Sequence, residues 1–234
     1  MSFDVYAGTL TRYFTDDWEN VVQRQARLDG MQYQRITPGG HQEPPPAAEV
    51  FEAVQAWCEA ITNALGANIE SPISWDESTE RPYFTDRPGW PGYTGLLLWA
   101  AYAHSTDLSR PRELPDSWDN DPAFVAALPK DSGTPYRQII QPSLWLPCHF
   151  NFTFKAPDVT GDETWIGSTF ALRDQLELLN EKTFGATDDQ LSSYLTADFA
   201  ATDEVEHAAK FTLAVFLTLS REACAHSLPM TLSF

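Results

Sequence analysis

A cysteine stands directly beside a histidine at Cys148-His149, and these residue types form the nucleophile and the base of many covalent active sites. Apolar residues alternate with other residues over positions 144–154, which is the pattern of a strand with one apolar face. Neighbouring residues of a strand point to opposite faces, so Cys148 is predicted to point inward and His149 outward with Asn151. The sequence therefore predicts a buried structural thiol and no catalytic dyad.

Glu204 and His207 are three residues apart, the spacing that di-iron helical bundles use. Such a centre needs a second copy of the motif on a facing helix, and the sequence has none. Glu222 and His226 lie on the same predicted helix but about four turns away, too far to share a metal. Solvated helix faces are predicted for both pairs, and no metal site.

The glycine-rich motifs of nucleotide sites and the GxSxG motif of hydrolases are absent from the sequence. Two of the 33 acidic residues could converge as in a glycosidase, but abundance alone does not identify a pair. We therefore predict no catalytic residue and no cofactor.

Charge is the least ordinary property of this chain of 234 residues. It has 33 Asp and Glu against 15 Lys and Arg, which gives a formal net charge of −18. A field of that sign repels nucleic-acid phosphates and anionic membrane surfaces, so neither is an expected partner. Two interpretations remain: the charge provides solubility, or it attracts a basic protein partner.

The compartment is predicted from cysteine usage and hydropathy. Cys58, Cys148 and Cys224 are odd in number and widely spaced, without a CxxC pair, so neither a disulfide framework nor a zinc knuckle is expected. The first ten residues do not resemble a secretory signal, and the longest apolar runs are shorter than the ~18 residues that span a bilayer. These features predict a soluble protein in a reducing cytoplasm.

The remaining patterns predict a single α+β domain over residues 1–234, with helices packed on a small antiparallel sheet. Strand formers at residues 3–10 and 32–36 flank a helix expected to begin at Thr15 or Asp16, and a proline-rich connection follows at residues 38–46. Further helices are predicted near residues 50–65, 95–104, 122–128, 168–179 and 188–196. The last long helix, residues 203–225 with Thr202 as its cap, has a wide apolar stripe and is predicted to be central.

Two long loops, residues 70–93 and 106–121, interleave aromatic rings with carboxylates. Loop Trp and Tyr supply large contact areas, and surrounding acids favour a cationic target. The predicted partner-binding residues are Trp75, Asp76, Tyr83, Phe84, Asp86, Trp90, Tyr93, Trp118 and Asp119. In the alternative interpretation, the rings fold back and fix the loops to the core.

Three segments carry a family resemblance: FDVYAGTLTRYF, SLWLPCHFNF and WIGSTFALRDQLELLN. In style they resemble small cytoplasmic bacterial proteins without an assigned activity, some of which are similar to the immunity proteins that neutralise polymorphic toxins. The resemblance implies a protein–protein interaction and assigns no functional residue.

The leading functional prediction is a non-catalytic, acidic, cytoplasmic binding protein, in its most specific form an inhibitor of a cationic toxin or enzyme. One alternative is an enzyme that acts on a small polar or sugar-like substrate through carboxylates of the loops. Another is a structural homo-oligomer whose exposed rings meet a second copy of the chain.

Overall fold

The computed structural model of the chain describes residues 3–31, 44–196 and 203–234. The predicted strand at residues 32–36, the first part of the proline-rich connection and the predicted cap Thr202 lie outside the described residues.

Six strands form one mixed sheet: β1 (Asp4–Ala7), β2 (Phe84–Asp86), β3 (Leu144–Leu146), β4 (Phe154–Pro157), β5 (Glu163–Ser168) and β6 (Met230–Ser233). Their order across the sheet is β2-β1-β6-β3-β5-β4. The described neighbouring pairs are antiparallel except β3 and β5, which are parallel. The α+β class is confirmed, and the parallel pair is an addition to the antiparallel sheet predicted from the sequence.

The α-helices of the described residues are α1 (Leu10–Phe14), α2 (Val21–Leu28), α3 (Ala47–Leu65), α4 (Gly89–His104), α5 (Pro122–Ala127), α6 (Arg137–Ile140), α7 (Thr169–Thr183), α8 (Asp188–Tyr194) and α9 (Val205–His226). Helices α4, α7 and α9 contribute to the larger of two hydrophobic cores, to which Trp145 of the sheet also belongs. Residues of α3 form the second core with Leu144, Leu146 and Ile166. Because successive residues of β3 alternate between these cores, that strand is buried on both faces.

The long C-terminal helix is confirmed as α9. Its residues 213–217 are at most 1% exposed, which leaves no polar stripe along that turn and a half. Helix α4 approaches it closely at Gly95, where an added Cβ would lie 2.7 Å from the Ala208 methyl carbon. Glycine is therefore required at this crossing, and the two helices contribute the centre of the larger core.

The helix predicted to begin at Thr15 or Asp16 begins at Val21 instead. Asn20 is its cap: the side chain accepts from the Gln23 N–H at 2.9 Å, and the Gln23 side chain accepts from the Asn20 N–H at 2.8 Å. Asp16 lies between α1 and α2 with a φ of 55°, which a residue at a helix start does not adopt. The predicted start was wrong because the sequence offers two acceptable caps four residues apart.

The strand predicted over residues 144–154 is also shorter than expected. Pairing ends at Leu146, immediately before Pro147, and resumes at Phe154 in β4. Side chains of α6 and the residue after it bind the end of this segment: Gln138 donates its amide N–H to the Phe152 carbonyl at 2.9 Å, and the Thr153 hydroxyl donates to the Gln141 side-chain oxygen at 2.8 Å. Alternating hydropathy therefore continues over seven residues that belong to no strand.

Candidate functional site

The predicted partner-binding rings do not form one surface. Trp90, in the first turn of α4, is 39% exposed and stacks on Phe234, with ring centroids 5.5 Å apart and planes inclined by 15°. Both rings contact the buried Phe3 at centroid distances of 5.0 and 5.6 Å. We call Trp90 and Phe234 the Trp90 stack. It is an exposed aromatic pair on a rigid base, and Phe234 did not form part of the predicted set.

Two further predicted rings turn inward. Tyr93, one helical turn further along α4, is buried, and its ring stacks on Phe3 at 4.5 Å. Phe84 of β2 is half-buried against the larger core, 5.6 Å from the ring of His226. The prediction that Tyr93 contacts a partner conflicts with its burial, since the apolar periodicity of α4 begins before the residue expected from the sequence.

Trp75 is half-buried because an interior acid holds its indole. The carboxylate of Glu77, itself 3% exposed, accepts from the Trp75 indole N–H and from the Leu10 N–H at 2.9 Å through Oε1. Its Oε2 accepts from the Thr11 N–H at 2.6 Å. The two amides belong to the first turn of α1, which has no intrahelical acceptors for them. Glu77 is therefore a structural acid, although it lies among the acids of the predicted surface.

Tyr83 is fixed on the same side of the sheet. Its ring stacks on Tyr6 at 6.2 Å, the Arg12 guanidinium carbon lies 4.9 Å from its centroid, and its hydroxyl accepts from the Glu19 N–H at 3.2 Å. These contacts agree with the alternative interpretation, in which loop rings fold back onto the protein.

Trp118 and Asp119 lie near the other end of α4. The Trp118 ring packs edge-on against Phe124 of α5 at 5.1 Å, and α5 is tied to α4 by the Tyr102 hydroxyl, which donates to Asp121 at 2.9 Å. Twelve residues of helix separate Tyr102 from Trp90, which corresponds to about 18 Å. Trp118 and Asp119 therefore belong to a different part of the surface from the Trp90 stack.

The predicted acids also differ from one another. Asp76 and Asp119 are exposed, whereas Asp86 is half-buried and accepts from the Arg87 N–H at 2.7 Å. Burial raises the pKa of the Asp86 carboxyl, and the Arg87 N–H and the charge of Arg24 oppose that rise. Asp86 is therefore a costly place for a negative charge, unlike the two exposed acids.

One helix has several exposed acids and no base among its own residues. At least ten Lys and Arg side chains form ion pairs with carboxylates within the described residues. Helix α3 has no Lys or Arg, and its Glu49, Glu52 and Glu59 are exposed on the side opposite its buried stripe. None of these three acids has an ion pair with another described residue. We call them the α3 acids; they lay outside the predicted site.

Cys148 and His149 face different surroundings. Cys148 packs against the second core, and burial raises the pKa of its thiol. The exposed imidazole of His149 stacks on Phe170 of α7, with ring centroids 4.0 Å apart and planes inclined by 19°. Cys148 and His149 therefore have the inward and outward positions that the alternating pattern predicted.

A cleft of about 380 Å³ opens where His149 meets α7. We call it the Phe170 cleft. Its rings and polar side chains include Phe150, Phe152, Phe170, Glu70, His149, Asn151 and Asp174. Sequence reasoning did not predict a site here, but one signal was available: the strand alternation placed His149 and Asn151 on the same outward side, and both line the cleft.

Gln138 of α6 holds this region in shape. It is fully buried, and its side-chain oxygen accepts from the Ser168 N–H at 3.0 Å while its amide holds Phe152. Ser168 caps α7 and donates its hydroxyl to the Cys148 carbonyl at 2.6 Å. Gly167 leaves room for the amide, because an added Cβ would lie 2.0 Å from the Gln138 Oε1 atom. One buried side chain thus fixes two segments that line the cleft.

The Nδ1 atom of His207 lies 3.3 Å from a Glu204 carboxylate oxygen, and the Nε2 atom of His226 lies 3.7 Å from one of Glu222. Within residues 3–31, 44–196 and 203–234, no three His, Cys, Asp or Glu side chains come together as a metal-binding group. Among the described helices, none combines the length and the apolar character that crossing a lipid bilayer requires. Comparison with family models, with curated proteins and with solved structures finds no match to this chain.

Proposed function

We propose that this chain is a non-catalytic, cytoplasmic binding protein whose partner is a basic protein, in its most specific form an inhibitor of a cationic toxin or enzyme. The observation that carries the proposal is the α3 acids: three exposed carboxylates on one helix face, with no base on the helix and no described ion pair. Among the described residues, such a face presents negative charge to solvent.

The proposed mechanism separates attraction from retention. Exposed carboxylates raise the rate of encounter with a cationic partner, and this effect acts over about 8–10 Å at moderate ionic strength. The Trp90 stack then provides contact area. Because Phe3 and Tyr93 support it from below, the stack loses little conformational freedom on binding.

The test begins with a tagged pull-down from the native host at about 50 mM salt, repeated at about 500 mM salt. The proposal predicts one basic protein whose recovery falls as salt rises, and whose purified form binds directly. A retained set that is independent of salt, or an acidic partner, contradicts the proposal.

Two variants then separate the roles. Trp90→Ala should raise the dissociation rate, and Glu52→Gln with Glu59→Gln should mainly lower the association rate. Trp165→Ala is the matched control, because Trp165 is exposed to a similar extent, 37%. It lies on β5, three strands away from β1, which begins directly after the Phe3 that supports the Trp90 stack. Equal kinetics for Trp90→Ala and Trp165→Ala would remove the Trp90 stack from the proposed contact.

A further inference from the structure

Three polar side chains of the Phe170 cleft have no hydrogen-bond partner within the part of the chain that the structure describes. The imidazole nitrogens of His149, the side-chain amide of Asn151 and the carboxylate of Glu70 make no hydrogen bond to another residue in the described part of the chain. Elsewhere the amides of Gln138, Asn20 and Asn180 are all engaged. The cleft therefore offers both donors and acceptors to a molecule that enters it.

The charge of the cleft is negative. Glu70 and Asp174 line it, and none of its described lining residues is Lys or Arg. Asp174 is already bound by Arg173, at 2.6 and 3.0 Å. Glu70 is therefore the acid that remains for a ligand. An anion would meet this carboxylate within a chain whose net charge is −18, so anionic ligands are disfavoured.

Aromatic faces complete the cleft. His149 stacks on one face of Phe170 at 4.0 Å, and the Arg173 guanidinium carbon lies 5.9 Å from the Phe170 centroid. The rings of Phe150 and Phe152, with centroids 5.0 Å apart, provide further aromatic surface. The faces of such rings attract cations, and flat guanidinium groups stack on them. A volume of about 380 Å³ is sufficient for a small ligand.

We propose that the Phe170 cleft binds a guanidinium or alkylammonium group, with Glu70 as the counter-charge, the phenylalanine rings as the stacking surface, and His149 and Asn151 as hydrogen-bonding groups. The group comes either from a free amine or from an Arg or Lys side chain of a protein. The proposal does not rest on the proposed function, because a free amine would satisfy it, and the cleft is separate from the Trp90 stack.

The experiment titrates the full chain with two probes, agmatine and N-acetyl-arginine amide, and follows aromatic NMR signals of the Phe150–Phe152–Phe170 group. Saturable binding of either cation is expected, with the citrulline analogue, which is neutral but of similar shape, at least about tenfold weaker. Binding of agmatine identifies a free amine as sufficient, whereas binding of the arginine amide alone identifies a peptide-borne side chain. Equal binding of the citrulline analogue, or no saturation by either cation, overturns the proposal.

Variants place the binding in the cleft. Glu70→Gln should weaken binding about tenfold, the factor that about 1.4 kcal/mol represents. Glu80→Gln is its matched control, because Glu80 is also an exposed acid and lies outside the cleft, and it should leave binding unchanged. Phe170→Leu keeps an apolar side chain but removes the stacking face, so it should weaken binding in a folded protein. Equal loss in the Glu70 and Glu80 variants would show a general charge effect and overturn the site.

Discussion

Glu77 allows a sharp test of how far interior acids stabilise this fold. Replacing it by Ala leaves three donors without an acceptor: the N–H groups of Leu10 and Thr11 and the indole N–H of Trp75. Each hydrogen bond to a charged group contributes about 1.5–3 kcal/mol, and such contributions are less than additive. We therefore expect Glu77→Ala to lower the free energy of unfolding by about 3–5 kcal/mol.

The geometry also predicts a difference between two substitutions of Glu77. Oε1 accepts from two donors and Oε2 from one. In Glu77→Gln, the remaining oxygen can serve Leu10 and Trp75, while the Thr11 N–H faces an NH₂ group. We expect this variant to lose about 1.5–3 kcal/mol, roughly half of the alanine effect.

Urea unfolding followed by tryptophan fluorescence measures both losses, and the midpoint shift is converted to free energy with the slope of each curve. For a chain of this size, about 3–5 kcal/mol corresponds to a fall in melting temperature of about 6–20 °C. Glu80→Ala is the control, because Glu80 is exposed in the same loop and should change stability by no more than about 0.5 kcal/mol. Equal losses for the Ala and Gln variants, or losses below about 1 kcal/mol, would refute this account of Glu77.

Three further outcomes are expected. Gly167→Ala places a methyl group 2.0 Å from a buried amide oxygen and should lower the free energy of unfolding, measured in urea, by about 1–3 kcal/mol. Asp4 is 2% exposed and binds Arg87 at 2.7 Å, so Arg87→Ala leaves a buried carboxylate without its counter-charge. We expect this variant to lower the free energy of unfolding by about 3–5 kcal/mol. The control Arg27→Ala, which removes an exposed ion pair, should lower it by about 0–1 kcal/mol. Burial raises the pKa of Cys58 to about 12, so at pH 8 the native thiol should resist alkylation, measured by mass spectrometry, until urea exposes it.

The longer helices were predictable because their apolar periodicity is a local signal that packing reinforces. The stripe of α3, with Gly66 at its end, and the stripe of α9 both correspond to buried faces. The start of α2 was not predictable, since two candidate caps compete locally and only tertiary contacts select one. Asn20 is the cap in the structure, and its side-chain amide also donates to Asp4 at 3.5 Å.

The prediction of one continuous strand over residues 144–154 was wrong because it, too, rested on a local pattern. Alternating hydropathy predicts that a segment has two different sides, but it does not predict that a neighbouring strand is available. Between β3 and β4 the chain crosses to the sheet edge, and β5 then occupies the position beside β3. Within residues 147–153, side chains make hydrogen bonds in place of strand pairing: Gln138 donates to the Phe152 carbonyl, and Ser168 donates to the Cys148 carbonyl.

The Phe170 cleft was beyond prediction because it joins three segments that are distant in the sequence: residues 68–70, 149–152 and 168–174. Each segment alone has an ordinary interpretation as a helix end, a strand or a helix start. Only the sheet order brings them together. The aromatic rings of the two long loops were visible in the sequence, but most of them pack against other residues of the chain.

Not every acid in the net charge is available to attract a partner, because some acids are internal hydrogen-bond acceptors. Glu77, Asp4 and Asp121 are buried and hydrogen-bonded, so they contribute little to a surface contact, whereas the α3 acids face solvent. If attraction and retention are carried by different groups, added salt should reduce the association rate with a basic partner and leave the dissociation rate nearly unchanged. A dissociation rate that rises steeply with salt would instead mean that the carboxylates lie inside the contact, and the Trp90 stack would lose its role as the anchor.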